Sequence, residues 1–345
     1  MKAVQIYRHG GIEQLCYEET VEPRLESPRD AIIKLKAAAL NQVDIRMRRG
    51  LGAVEAPFPH ILGSDGAGVV VELGNEAGNL HTGDSICLFP ATDCGQCEFC
   101  VADGDASCSQ SRILGERENG TYAEYVRVPA RNCFPIPAGL SFEEAAAFPL
   151  VFVTAWRMVH SNARLRPGEW ILILGVGGGV ATAALRLALR HGAHVIVTSR
   201  SDQKLIEAEA LGAEHGINSS KGEFAEEVRR LTGKRGVDVV VDCVGGDNWA
   251  KSLSTLARGG RLVTCGASAG SEPKTNLQRI FWNHLKIFGS TLGSRQEFHQ
   301  VLKFMEVARA KPVLDEIFPL RDAAKAQQRL EAGKQFGKIV LRMDE

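Results

Sequence analysis

The sequence predicts an α/β protein in two parts, a β-rich domain followed by a doubly wound domain built on a parallel sheet. Three observations carry that prediction. At 345 residues the chain exceeds what a single core of about 100 to 200 residues usually organises. Up to about Pro137 it reads as short β-prone runs separated by Gly, Pro and Asn. Beyond Ser141, apolar strands alternate with amphipathic helices, the rhythm of a parallel sheet covered on both faces.

In order, the runs KAVQIY, AIIKLKAAAL, GAGVVVELG, DSICLFP and TYAEYVRVP show no helical period and predict a small irregular barrel or sandwich. The stretch LSFEEAAAFPLVFVTAWRMV is read as helical, opened by Ser141 as N-cap with Glu144 three residues on. Then WILILG, ATAALRLALRHGA, HVIVTS, DQKLIEAEALGA, HGIN, FAEEVRRL, VDVVVDCVG, NWAKSLSTLA, RLVTCG, LQRIFWNHL and KIFGST alternate strand with helix. That pattern predicts about six strands. WILIL and DVVVD lack polar alternation because both faces of such a sheet are covered. A helix over about Glu297 to Ala310, the polar helix RDAAKAQQRLEAG and a last strand GKIVLRM close the chain.

Composition narrows the partners. Lys+Arg 41 balance Asp+Glu 41 at a pI of about 7.1, and no run of like charges gives the footprint of a nucleic-acid or anionic-membrane binder. A hydrophobic share of 44% is too high for disorder. The longest charge-free stretch, Trp170 to Leu185, is broken by Gly175, Gly177, Gly178 and Gly179, so no membrane span is expected. The start MKAVQIYRHGG lacks a signal-peptide pattern. We expect a cytoplasmic protein with a small-molecule substrate.

Between the apolar strand WILIL and an amphipathic helix lies Gly175-Val176-Gly177-Gly178-Gly179-Val180-Ala181. Glycines there let the backbone approach a pyrophosphate resting on the helix N-terminus, where free amides and the dipole favour anions. About 20 residues on, where an acidic side chain would hold the ribose of NAD, the chain reads Thr198-Ser199-Arg200-Ser201. A hydroxyl plus a guanidinium suits a 2′-phosphate, so NADP is expected, with NAD as the alternative.

Nine cysteines is a high count for a reducing compartment. Cys94, Cys97, Cys100 and Cys108 form C-x2-C-x2-C-x7-C, which predicts a closed tetrahedral zinc shell with no position for substrate. A ferredoxin-type cluster would need a shorter last gap and a following Pro. Cys16, Cys87, Cys133, Cys243 and Cys265 are scattered and read as packing thiols without chemistry.

The glycine loop, the cysteine lobe, LNQVDIRMRRG at 40–50, PHILGSDGAGVV at 59–70, GTYAEYV at 120–126 and the GKIVL ending together resemble the medium-chain dehydrogenase/reductase superfamily. The resemblance covers essentially the whole chain. It implies a GroES-like β-rich catalytic domain over 1–151 and 292–345, carrying the zinc lobe at 93–109, and a Rossmann cofactor domain over 152–291. The four-cysteine lobe is typical of the zinc alcohol dehydrogenases, whereas Asn41, Asp44, Arg48 and Gly50 look like the zinc-independent quinone oxidoreductases. Where members with catalytic zinc carry ligands, this chain has Asn41, Ser64 with Asp65, and Leu150 ahead of Thr154. One structural zinc and no catalytic zinc are therefore expected.

The resemblance puts Gly175, Gly177, Gly178, Gly179 and Val180 at the pyrophosphate and nicotinamide, and Thr154 beside the ring. It puts Ser199, Arg200 and Lys204 at the 2′-phosphate, with Ser219 as a further contact. Cys243, Val244, Gly266, Ala267 and Phe288 line the nicotinamide side, and Lys338 reaches the pyrophosphate. Asn41 and Ser64 are the candidate hydrogen-bond donors to substrate, with Asp44 and Asp65 orienting them or pairing with Arg48. The implied reaction is NADPH-dependent hydride transfer to a quinone or α,β-unsaturated carbonyl. An NAD(P)-dependent alcohol or aldehyde dehydrogenase is the alternative, and a non-enzymatic nucleotide-binding protein a further one. The strand KIFGST would leave an apolar sheet edge, which with the resemblance predicts a homodimer or homotetramer.

Overall fold

A computed structural model describes residues 1–51, 56–101 and 107–343. Residues 102–106 of the expected zinc lobe lie outside the described residues. The chain divides into two compact units, Met1–Leu150 with Ser294–Glu345, and Val151–Gly293.

The chain opens with β1 (Lys2–Ile6), β2 (Cys16–Glu19), β3 (Asp30–Ala39), α1 (Gln42–Arg49), β4 (His60–Ile61), β5 (Asp65–Leu73) and β6 (Ser85–Leu88). The lobe follows with β7 (Ala91–Thr92), α2 (Glu98–Val101) and β8 (Arg112–Ile113), then β9 (Tyr125–Pro129), β10 (Cys133–Pro135) and α3 (Phe142–Ala147). Next come α4 (Pro149–Trp156), β11 (Trp170–Ile173), α5 (Gly179–Arg190), β12 (His194–Ser199), α6 (Asp202–Ala210), β13 (His215–Asn218) and α7 (Phe224–Leu231). β14 (Val237–Asp242), α8 (Asn248–Thr255), β15 (Leu256–Thr264), α9 (Leu277–Trp282) and β16 (Lys286–Gly289) complete the second unit. The return to the first unit is α10 (Arg295–Val307), β17 (Leu314–Pro319), α11 (Ala323–Glu331) and β18 (Lys338–Arg342).

In the first unit a seven-stranded sheet runs β10-β6-β5-β3-β18-β17, with β9 also pairing β3. Its centre is β3, whose exposed Lys34 and Lys36 alternate with buried Ile33, Leu35 and Ala37, the period of a strand with one covered face. The pairing of β3 with β18 brings the C-terminal strand against Ala37, Ala38 and Ala39. The second unit is a six-stranded parallel sheet, β13-β12-β11-β14-β15-β16. Every residue of β14 is buried, as helices on both faces require.

The stretch expected to be one helix after Ser141 is broken. Ser141 and Glu144 do form the reciprocal cap of α3, at 3.2 and 2.9 Å. Pro149 then has no N–H to continue the ladder and instead opens α4, which runs into a wide turn over Arg157–Asn162. Eight elements have no counterpart in the sequence reading: β2, α1, β4, β7, α2, β8, β10 and β17. Among the described residues no helix is long and apolar enough to cross a membrane.

Candidate functional site

In the first unit the candidate residues converge where β3 ends and β5 begins. Asn41 caps α1. Its backbone N–H donates to Asp44 Oδ2 at 2.8 Å, and the Tyr122 hydroxyl donates to the same oxygen at 2.9 Å. Burial pushes Asp44 up to about 7, against the pull of the Asn41 amide and Tyr122. Burial and the neighbouring Asp44 hold Tyr122 well above the ordinary phenol range.

The Asn41 side chain is held on both sides. Its Nδ2 donates to Asp65 Oδ2 at 2.8 Å and to Ser64 Oγ at 3.1 Å, while its Oδ1 accepts from Lys338 Nζ at 2.6 Å. The same ammonium donates to Leu40 O at 2.7 Å and Asp65 Oδ2 at 3.1 Å. Asp65 Oδ1 accepts the Leu150 N–H at 2.9 Å. Lys338 and Asp65 are 4% and 0% exposed in their side chains, so this is a buried ion pair with its remaining valences satisfied. Removing one partner would leave a buried charge, costing about 3–5 kcal/mol.

The structure gives Lys338, Arg48 and Asn41 partners within the first unit. The ammonium of Lys338, which the resemblance puts at the pyrophosphate, donates here to Leu40 O, Asn41 Oδ1 and Asp65 Oδ2. Asp44 does not pair with Arg48, whose guanidinium donates to Gln327 Oε1 at 2.8 Å, to Gly10 O at 2.9 Å and to Glu331. Asn41 is not an available donor, since both hydrogens of its amide are taken by Asp65 and Ser64. Among the described residues the Ser64 hydroxyl accepts from Asn41 and donates to nothing. Ser64 is fully covered and Asn41 is 6% exposed.

This donor set does not fit a catalytic zinc. An amide oxygen and a carboxylate oxygen already accept from an ammonium, and Leu150 contributes only a backbone N–H. A metal there would have to displace Lys338 and, among the described residues, would find no thiolate or imidazole grouped with them.

The cysteine lobe does fit zinc. Thiolates about 2.3 Å from a tetrahedral zinc stand about 3.8 Å from one another. Here Cys94 and Cys100 Sγ are 3.8 Å apart, Cys97 and Cys100 3.5 Å, and Cys108 and Cys94 3.6 Å, with all four within 4.8 Å. The backbone amides of Gln96 and Cys97 pull Cys94 down to about 6, while burial and the neighbouring thiols push Cys100 up to about 12, so the sulfur spacing and not the titration carries the fit to zinc. Asp93, 3.8 Å from Cys100 Sγ, ties the lobe to Arg295 of α10 at 2.8 Å and to Arg131.

In the second unit the glycine loop joins β11 to α5. Gly175 and Gly177 have φ of +71° and +104°, the left-handed region that favours glycine. Gly178 caps α5 without a side-chain acceptor, so the amides of Gly179, Val180 and Ala181 point outward from the helix end. That is the polarity an anion needs. Thr198 steadies the loop, its carbonyl accepting Val176 N–H at 2.8 Å. At the end of β12, Ser199 is 7% exposed and Arg200 is exposed. Ser219 donates its N–H to Ser199 O at 2.9 Å. Lys204 stands on the first turn of α6 and Thr154 on α4.

Cys243 and Val244 follow β14, and Gly266 and Ala267 follow β15. The buried Asp242 orders this end of the sheet. Its Oδ1 accepts the N–H groups of Val244 at 2.8 Å and Gly245 at 2.9 Å, and its Oδ2 accepts from Ser252. Phe288 lies on the edge strand β16. Asp242 and Tyr122 are buried hydrogen-bonding groups of these regions that sequence reasoning missed. Asp242 carried a signal, a carboxylate closing the buried strand VDVVVD, which demands backbone partners.

Comparison with known proteins matches residues 27–138 to the alcohol dehydrogenase GroES-like domain and residues 179–307 to the zinc-binding dehydrogenase domain. A zinc-type alcohol dehydrogenase-like protein of Schizosaccharomyces pombe is 33% identical over 97% of this chain and 96% of its own. A quinone oxidoreductase of Rattus norvegicus is 27% identical over 99% and 97%. The crystal structure of an NAD-dependent alcohol dehydrogenase superposes over 100% of both chains with a TM-score of 0.96 at 41% identity.

Proposed function

Since this chain belongs to the medium-chain dehydrogenase/reductase superfamily and is an NAD(P)-dependent oxidoreductase, we propose that it reduces quinones or α,β-unsaturated carbonyls, using NADPH and no catalytic zinc. The observation that carries this reading is the cluster of Lys338, Asn41 and Asp65, in which the protein's own ammonium takes the lone pairs that a metal would need.

The nicotinamide supplies the hydride when the cofactor is bound. The chain's residues bind and orient around it. The glycine loop and the amides of Gly179 and Val180 take the pyrophosphate. Ser199, Arg200, Lys204 and Ser219 take the 2′-phosphate, which favours NADP although one similar structure is described as NAD-dependent. Thr154, Cys243, Val244, Gly266, Ala267 and Phe288 line the ring. Ser64 is the donor to the acceptor's oxygen, held in place by Asn41, and Asn41 is in turn fixed by Lys338. Ser64 is fully covered in the free protein, so a hydrogen bond from it to the acceptor would be sheltered from water.

A lone hydroxyl stabilises a developing alkoxide less than a Lewis acid does. Quinones and enones spread that charge by conjugation, so they suit this site better than unconjugated carbonyls. Conjugated acceptors should therefore exceed a saturated aldehyde of equal length by roughly two to four decades in kcat/KM, with a chelator that spares the lobe zinc making no difference. Equal rates abolished by the chelator would instead support an alcohol dehydrogenase, the reading that the names of the first relative and of the superposed structure favour. A cytoplasmic location is consistent with nine cysteines of which none is paired in a disulfide.

A further inference from the structure

Two of the five cysteines outside the lobe meet. Cys243 Sγ lies 3.3 Å from Cys265 Sγ. Nothing in their sequence spacing suggests it, but β14 and β15 are parallel neighbours paired through Asp242↔Thr264, and each cysteine is the first residue after its strand. Neighbouring strands run about 4.8 Å apart, within the roughly 4.4–6.8 Å between Cα atoms that a disulfide spans. Both residues are partly exposed, with the Cys243 thiol on their covered side, whereas Cys87 and Cys133 are buried.

The pair underlies the two loops assigned to the nicotinamide side. Cys243 O accepts from Ser268 Oγ at 3.4 Å, Ala269 N–H donates to Val244 O at 2.8 Å, and Gly246 N–H donates to Gly270 O at 3.0 Å. Val244 Cγ2 stands 3.2 Å from where a Cβ on Gly175 would lie. A shift in the backbone after Cys243 therefore moves Val244 beside the glycine loop.

We propose that Cys243 and Cys265 are a redox modification site, closing to a reversible disulfide that weakens dinucleotide binding. A peroxide oxidises Cys265 to a sulfenic acid, with one water leaving. Cys243 then attacks that sulfur: the S–S bond forms, the S–O bond breaks, and the Cys243 proton departs with the hydroxyl as a second water. Two thiols are oxidised by two electrons and one peroxide is reduced. The order follows from Cys243, whose thiol is kept protonated by its hydrogen bond to Cys265 and by burial. To bond, the sulfurs close from 3.3 Å to about 2.05 Å, which draws the two loops together. A dithiol reverses the change.

The inference rests on the reading that the dinucleotide lies at these strand ends. The test uses the full-length, zinc-loaded protein: NADPH is titrated by fluorescence before and after hydrogen peroxide, with peptide mass mapping and zinc release followed in parallel. We expect a Cys243–Cys265 linked peptide, an NADPH Kd at least tenfold weaker, and recovery with dithiothreitol while zinc is retained. In Cys265→Ser, or in Cys265→Ala should the serine variant fold poorly, peroxide should leave that variant's own Kd unmoved. A linked peptide with unchanged Kd, oxidation that stops at sulfinic acid, or equal weakening in the Cys265 variants would overturn the proposal. An untreated protein that does not bind NADPH would overturn the cofactor reading and this regulation with it, which differs from normal binding that peroxide fails to alter.

Discussion

Ser199 and Arg200 stand at the end of β12 with contrasting exposure, the hydroxyl nearly covered and the guanidinium open. A 2′-phosphate gains about 1.5–3 kcal/mol from one charge-assisted contact of this kind, so NADPH should be preferred over NADH by roughly 10- to 100-fold in kcat/KM. In Ser199→Asp the carboxylate repels that phosphate and accepts from ribose hydroxyls, and the preference should reverse. An unmodified enzyme that favours NADH would show that Arg200 faces only solvent. The placement of this pair at a strand end was legible because loop, strand and polar pair lie close in the chain. Lys338 was not legible: its partner Asn41 is 297 positions away, and only the pairing of β18 with β3 brings them together. The GKIVL ending therefore gave no sign of the buried carboxylate that Lys338 faces.

At the scale of elements, α1 shows why some of the fold stayed hidden. Its sequence QVDIRMRR buries Asp44 and Arg48 beside Ile45 and Met47, so the covered face carries charges and no apolar period marks it. The charges are covered because Tyr122, Gln327 and Glu331 partner them, which no local window reveals. The cysteine lobe is the opposite case, since all four ligands fall between 94 and 108 and the spacing itself predicts the shell. Metal analysis should find about one zinc per chain. Cys97→Ser should release it and lower Tm by roughly 5–10 °C, with kcat/KM of the folded protein largely retained because the closed shell has no position for substrate. Full stability in metal-free active protein would refute this role for the lobe.

For the whole molecule, the alternation of strand and helix fixed the parallel sheet in advance, and with it the open edge at β16. Beside that edge Leu277, Phe281 and Trp282 are 71, 64 and 68% exposed, and Ile287 on the edge itself is 38% exposed. We propose that a second copy covers this patch, as a homodimer or within a homotetramer. Light scattering at micromolar concentration should then give at least twice the chain mass, and Trp282→Asp should shift it toward monomer; a monomeric unmodified protein would remove the proposal. The reaction itself admits the most direct test. With NADPH carrying deuterium at the transferable C4 position and an enone as acceptor, the product examined by NMR should hold deuterium at the β-carbon, with the carbonyl retained. Deuterium at the carbonyl carbon of an allylic alcohol would contradict the account, because it would mean that the site polarises a simple carbonyl as a Lewis acid does.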